Sequence, residues 1–242
     1  MAAAMAAETL MPNTVFFSWQ ADTPTREGRN FIARALETAV KRLVADTAIE
    51  SAVRELIVDS DTQNIGGQPP IVETIFRKID AASVFVPDLT FVGTRRDGRP
   101  TPNPNVLIEY GWALKSLTYY LIIPVMNTAF GEPTAETMPF NVAHLRRPIC
   151  FHCAADLNDG ERKAVRDKLA KDLEAAIRTV FETDEFKQRQ PKPTPPPEFV
   201  AKQPADGRGR FRARNEPIGL VREYAGRLVN YDWSTRRFVG SE

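Results

Sequence analysis

The sequence predicts an α/β fold: an open, mostly parallel sheet with helices on both faces. Three observations predict it. Short apolar runs alternate with stretches of helical period about five times. The run Tyr119 to Val125 is nearly continuous, as in a parallel strand buried on both faces. The segments that follow the early strands are polar and long, as ligand loops at the C-terminal ends of strands are.

The elements follow in order. Val15-Phe16-Phe17 reads as a buried strand, broken by the loop Ser18–Asp22. From Asn30 the period becomes helical, with Phe31, Ile32, Ala35, Leu36, Ala39, Val40 and Leu43 on one face. Glu55 to Asp59 reads as the second strand, and Asp59 to Gly67 as an exposed loop. Pro69 and Pro70 suit a helix start, and Ile71, Ile75, Phe76 and Ile79 form that helix's expected buried face. Ser83 to Pro87 is the third strand.

Asp88 to Pro104 reads as a long loop rich in glycine and proline. Asn105 is the expected cap of a helix through Val106, Ile108, Trp112, Ala113 and Leu117. Tyr119–Val125 is the expected fourth strand and Pro148–His152 the fifth. Asp159 to Phe181 reads as a long amphipathic helix with Val165, Leu169, Leu173, Ile177 and Val180 inward.

Composition narrows the function classes. The formal net charge of +1 gives no global field toward nucleic acid or an anionic membrane, so neither partner is expected. No apolar run reaches the roughly 20 residues of a membrane span. Met1 to Ala7 lacks the basic start of a signal peptide. The two cysteines, Cys150 and Cys153, flank His152, and the other histidine is His144. Structural zinc wants four such ligands, so no metal site is expected, and both cysteines read as small apolar residues beside a buried strand. A reducing cytoplasm fits this cysteine usage.

The expected organisation is a frayed N-terminus over 1–12, one α/β domain over 13–186 and a proline-rich linker over 187–206. Residues 207–242 read as the start of a C-terminal region or a tail. Arg208, Arg210, Arg212 and Arg214 read as a solvated linker, with phosphate binding as the alternative.

The phosphate-binding glycine motifs G-x-G-x-x-G and G-x-x-x-x-G-K-[ST] are absent, as is the G-x-S-x-G elbow. Scarce histidine argues against histidine-activated nucleophiles. Carboxylates near strand ends remain: Asp59, Asp61, Asp88 and Glu109. Glu109 stands out. Its neighbours Ile108, Tyr110 and Trp112 are bulky, and positions three and four away (Asn105, Val106, Trp112, Ala113) offer no basic partner. Spacing alone leaves two readings, an active carboxylate or a surface glutamate. Trp19 also has two: it stacks on a purine or nicotinamide ring, or it caps the core. Asn105 is a cap, a ligand contact or both.

Three blocks now form a pattern. They are Val15-Phe16-Phe17-Ser18-Trp19-Gln20, the run Ala82 to Thr90, and Asn103-Pro104-Asn105-Val106-Leu107-Ile108-Glu109-Tyr110-Gly111-Trp112-Ala113. With Ile71 to Ile79 after a Gly-Pro loop, they resemble a bacterial TIR-like domain over about Asn13 to Glu182. The resemblance implies a flavodoxin-like fold with a central five-stranded parallel sheet. It implies NAD⁺ glycohydrolase activity as an effector of anti-phage defence, with NAD⁺ as substrate and no separate cofactor. Glu109 would be the catalytic residue. Phe17, Ser18, Trp19, Asp59, Asp88 and Asn105 would border the substrate. Activation would come by self-assembly, triggered by a sensor domain or partner.

The chemistry agrees with that implication. Cleaving the nicotinamide–ribose bond passes through an oxocarbenium-like state, and nicotinamide leaves without protonation. One carboxylate near the ribose suffices. Two other readings compete: a nucleoside deoxyribosyltransferase-like enzyme with a glutamate nucleophile, and a non-enzymatic TIR adaptor that signals by assembling.

Overall fold

The computed structural model describes residues 13–49, 53, 55–60 and 70–190, and the backbone of 229–232 and 237–240. The elements run β1 (Asn13–Ser18), α1 (Arg29–Ala45), β2 (Leu56–Asp59), α2 (Ile71–Ala81), β3 (Val84–Pro87), β4 (Phe91–Thr94) and β5 (Pro100–Pro102). Then come α3 (Pro104–Ser116), β6 (Val125–Asn127), α4 (Phe140–Ala143), β7 (Ile149–Phe151), α5 (Asp159–Phe181) and α6 (Asp184–Arg189). A separate unit beyond Gln190 contains an antiparallel pair, β8 (Val229–Asp232) and β9 (Arg237–Gly240). The expected N-terminal segment 1–12, Asp61, the Gly-Pro loop over 61–69, the proline-rich stretch and the arginine cluster lie outside the described residues.

The fold is mixed α/β with small parallel sheets. β1 is the middle strand of three, parallel to β2 on one side and β3 on the other. Val15, Phe16 and Phe17 are all buried, so β1 shows no alternation, as expected of a strand covered on both faces. Phe16 stacks on Phe85 of β3 across the ladder, with ring centroids 6.2 Å apart. β6 and β7 form a second parallel pair.

Two isolated parallel bridges, Phe85 to Ile122 and Asp88 to Val125, lie between β3 and the chain leading into β6. They keep one register. Ile123 N–H donates to Phe85 C=O and Leu89 N–H to Val125 C=O, both at 2.9 Å. The parallel rung between them would be donated by residue 87. Pro87 has no N–H, so the ladder breaks there into single bridges.

The fourth strand therefore differs from expectation. Tyr119–Leu121 forms a 3₁₀ turn after Thr118, whose φ of 69° reverses the chain, and the strand begins only at Val125. Burial along this run alternates: Leu121, Ile123 and Val125 are buried, Tyr120 is exposed, and Ile122 and Pro124 are intermediate. The segment between β6 and β7 supplies only short turns, a 3₁₀ turn over Thr128–Phe130 and the single turn α4. The Asp88–Pro104 loop is also corrected. It contains the hairpin β4–β5, turned at Gly98, whose φ of +81° suits glycine.

α1 buries the face expected of it, Phe31, Ile32, Ala35, Leu36, Ala39, Val40 and Leu43. It packs against α5, whose buried residues include Leu169, Leu173, Ile177 and Val180. Each large apolar side chain so buried contributes about 1.5–3 kcal/mol. α5 begins with a capping box between Asn158 and Glu161.

On α2 the expectation fails at Ile71, which is exposed. Thr74 and Ile79 are the buried residues, with Ile75 and Phe76 partly covered. The reason is that α2 packs its C-terminal half on α3, where Phe76 stacks on Trp112 at 4.4 Å and Trp112 Nε1 donates to Asp80. Cys150 is corrected too: it is exposed on β7, which among the described residues pairs only with β6, whereas Cys153 is buried as expected.

The compact unit continues to Gln190, past the expected boundary at 186. Phe186 is buried against Phe181, and Arg189 donates to the carbonyls of Ser116, Asp80 and Ala82. Those bonds give otherwise orphaned carbonyls near the ends of α2 and α3 a cationic donor.

Candidate active site

The C-terminal end of β1 delivers Ser18 to the second turn of α3. Ser18 Oγ donates to Glu109 Oε2 at 2.5 Å. Among the described residues no other hydrogen bond reaches Glu109 and no cation pairs with it. Burial pushes the Glu109 carboxyl above the usual carboxylate range, and the Ser18 hydroxyl offsets part of that rise. The result is a partly buried carboxylate with one donor and no counter-charge.

The start of α3 is fixed by Asn103 rather than by Asn105. Asn103 Oδ1 accepts from the N–H groups of Asn105 and Val106, and Pro104 takes the first helical position. The expected cap is thus corrected by two residues, because proline at the first position leaves the residue before it to cap. Asn105 is exposed within the first turn. Asn103 Nδ2 also donates to Asp22 Oδ2 at 2.5 Å, which ties the loop after β1 to the helix carrying Glu109.

Gln20 organises that loop. It is buried, its Oε1 accepts from Asp22 N–H and Thr23 N–H, and its Nε2 donates to Thr23 Oγ1 at 2.8 Å and Asp88 Oδ2 at 3.4 Å. Gly28 closes the loop against Thr23: a Cβ there would stand 2.2 Å from Thr23 Oγ1. Sequence reasoning passed over Gln20, although a polar residue directly after a doubly buried strand is a signal for such a role.

The other expected contacts divide. Trp19 is partly buried. Its Nε1 donates to Ser60 C=O at 2.6 Å, and the Arg29 guanidinium lies 3.4 Å from the ring centroid. One ring face is therefore covered by a cation, and stacking on a base could use only the other. Asp59 sits at the end of β2 in register with Phe16 and pairs with Lys78 of α2 at 2.9 Å. Phe17 is buried in the core.

Asp88 is buried too, at 0% exposure. Its Oδ1 accepts from Thr90 N–H, its Oδ2 from Gln20, and its backbone N–H donates to Ser18 C=O. Burial raises its pKa, and the bonds from Thr90 and Gln20 counter the rise. Asp88 holds the ends of β1 and β3 together from inside.

Asn127, at the end of β6, was not foreseen. It is wholly buried. Its Nδ2 donates to Glu27 C=O and Cys153 C=O, and its Oδ1 accepts from Ala129 N–H and Cys153 N–H. All four positions of the amide are satisfied, so this side chain locks the loop after β1 to the segment after β7.

No family model matches the chain, and no curated protein matches it. The site is therefore read on its own geometry. Among the described residues, no group of three or more His, Cys, Asp or Glu is placed to hold a metal, and no helix is long and apolar enough to cross a membrane. A carboxylate without a counter-charge, disfavoured by burial when ionised, gains most when positive charge develops beside it. Its Oε1 accepts no hydrogen bond from another described residue.

Proposed function

We propose that this chain is a TIR-like NAD⁺ glycohydrolase with Glu109 as its catalytic carboxylate. The observation that carries the reading is the contact between Ser18 Oγ and Glu109 Oε2 at 2.5 Å. It joins two separate blocks of the resemblance at the sheet edge where ligands bind in open α/β folds. The bridges between β3 and the approach to β6 support a finer fold reading: one five-stranded layer, ordered β2-β1-β3-β6-β7, of flavodoxin type.

In the proposed reaction the C1′–N bond of NAD⁺ breaks and nicotinamide leaves as a neutral molecule. Glu109 stabilises the ribosyl cation and accepts a hydrogen bond from a ribose hydroxyl. Water then adds to C1′ and loses its proton, giving ADP-ribose; internal capture would give a cyclic isomer. Trp19 borders the base through the ring face that Arg29 does not cover, and Asp59 and Asn105 border the substrate more distantly. The activity would serve anti-phage defence in a cytoplasmic setting, switched on by oligomerisation through a sensor region or partner.

A specific observation also favours assembly. Val72 and Ile108 lie one turn N-terminal to the stacked pair Phe76 and Trp112, and with Ile71 they are 59–65% exposed. A surface of this kind suits self-association, with or without catalysis. Incubation with NAD⁺ at high protein concentration, following nicotinamide release, tests the enzyme. An active wild type with an equally active Glu109→Gln variant would remove Glu109 from the mechanism. Assembly without any turnover would favour the adaptor.

A further inference from the structure

A cavity of about 380 Å³ opens between the N-terminal parts of α1 and α5. Arg26, Arg34, Arg162, Lys163 and Arg166 line it, opposed by one lining carboxylate, Asp159. That carboxylate is already paired with Arg26 at 2.5 Å. Glu161, in the same turn as Arg162, has its carboxylate bonded to Asn158 N–H in the capping box. Arg34, Lys163 and Arg166 make no ion pair with another described residue.

This charge arrangement is unfavourable on its own. Arg162 and Lys163 stand at the end of the first turn of α5 and Arg166 one turn further, near the positive end of the helix dipole and beside the first-turn acids Asp159 and Glu161. Arg162 adds a second cost. It is 5% exposed, and its Nε–H is the one buried side-chain nitrogen or oxygen without a hydrogen-bond partner among the described residues. Its other nitrogens are engaged: Nη1 donates to Cys153 Sγ, and Nη2 to the carbonyls of Ala154, Ala155 and Leu157. Those bonds explain why the side chain is held in the wall. They do not explain the orphaned Nε–H or the neighbouring unpaired cations.

An anion in the cavity would offset the charge of Arg34, Lys163 and Arg166. We propose that this cavity is a binding site for the pyrophosphate group of a small phosphorylated molecule, held by Arg34, Lys163 and Arg166, with the fixed charge of Arg162 in its wall. The volume exceeds a single phosphate and suits two linked ones with part of an attached group. Arginine forks match phosphate oxygens in pairs, and the positive ends of two helices reinforce the charge. The site stands independently of the Glu109 reading.

The test uses the full chain, titrated calorimetrically with sodium pyrophosphate and separately with ADP, at constant ionic strength. Saturable binding at one site per chain is expected. Arg34→Gln combined with Arg166→Gln should weaken it at least tenfold, and these groups lack ion pairs whose loss would unfold the chain. Glu109→Gln should leave the affinity unchanged. Equal affinity for both probes assigns the contacts to the phosphates alone, while tighter ADP extends them to the nucleoside; either supports the site. No saturable binding, an unaltered affinity in the double variant, or loss in Glu109→Gln overturns it. Failure of NAD⁺ turnover alone would not touch this result.

Discussion

Ser18 Oγ donates to Glu109 Oε2 across 91 residues of sequence, at 2.5 Å. Among the described residues that hydroxyl is the one side-chain donor to the carboxylate; burial raises the Glu109 pKa and the hydroxyl lowers it. The relationship couples the end of a central strand to the second turn of a helix, so it fixes the position of the carboxylate.

A pH consequence follows for Ser18→Ala. The hydroxyl lowers the Glu109 pKa, so removing it raises that pKa further above the ordinary value of 4.5. If the ionised form acts on the ribosyl cation, the acidic limb of log kcat/KM for NAD⁺ cleavage moves to higher pH. The rate on the plateau should fall by about tenfold or more, and Glu109→Gln by about a hundredfold or more. A pH–rate profile unchanged by Ser18→Ala would contradict the coupling.

Asp88 gives a stability effect of definite sign. Its folded pKa is raised from 3.8, with burial the main cause. A raised folded pKa contributes stability that is full below the unfolded value and is lost as pH rises through the folded one. Asp88→Asn cannot ionise. Its stability relative to wild type should therefore increase as pH climbs above about 4 and level off once Asp88 is ionised. Urea unfolding across that range measures it, and a pH-independent difference would refute it.

Asn127→Ala removes an amide with all four positions bonded and leaves backbone groups of Glu27, Ala129 and Cys153 unpaired. The expected loss is about 2–4 kcal/mol. Thermal or urea denaturation reads it directly.

Gly28→Ala should cost about 1–3 kcal/mol, because the new Cβ meets Thr23 Oγ1 at 2.2 Å. In a double-mutant cycle, Thr23→Ala should relieve part of the cost in the Gly28→Ala background. Simple additivity of the two changes would show that the clash is not the cause.

Val72→Asp and Ile108→Asp place charges on exposed apolar positions that no described core contact uses. Folding stability should change by less than about 0.5 kcal/mol. Concentration-dependent self-association, followed by light scattering, should weaken. Undiminished association in both variants would move the assembly surface elsewhere.

Much of the fold was legible because helical period is local. The buried faces of α1 and α5 follow from spacing alone, and so does the lack of a basic partner beside Glu109. The fourth strand was misjudged because an apolar run does not reveal which rungs a partner can donate. Pro87 breaks that ladder from another strand. The cap was misplaced by two residues although the sequence held the signal, since Pro104 belongs at the first helical position and Asn103 before it.

The sequence by itself determined the α/β alternation, the buried faces of α1 and α5 and the short list of carboxylates that contains Glu109. Only the tertiary structure decided which carboxylate stays accessible and unpaired. Asp88 and Glu109 look alike as acids after the third strand, yet one is sealed between strand ends and the other meets a single hydroxyl. The clustering of Arg34 with Arg162, Lys163 and Arg166 was likewise decided by packing of α1 on α5. Burial and charge proximity are properties of elements brought together from distant parts of the chain, and local sequence does not encode them singly.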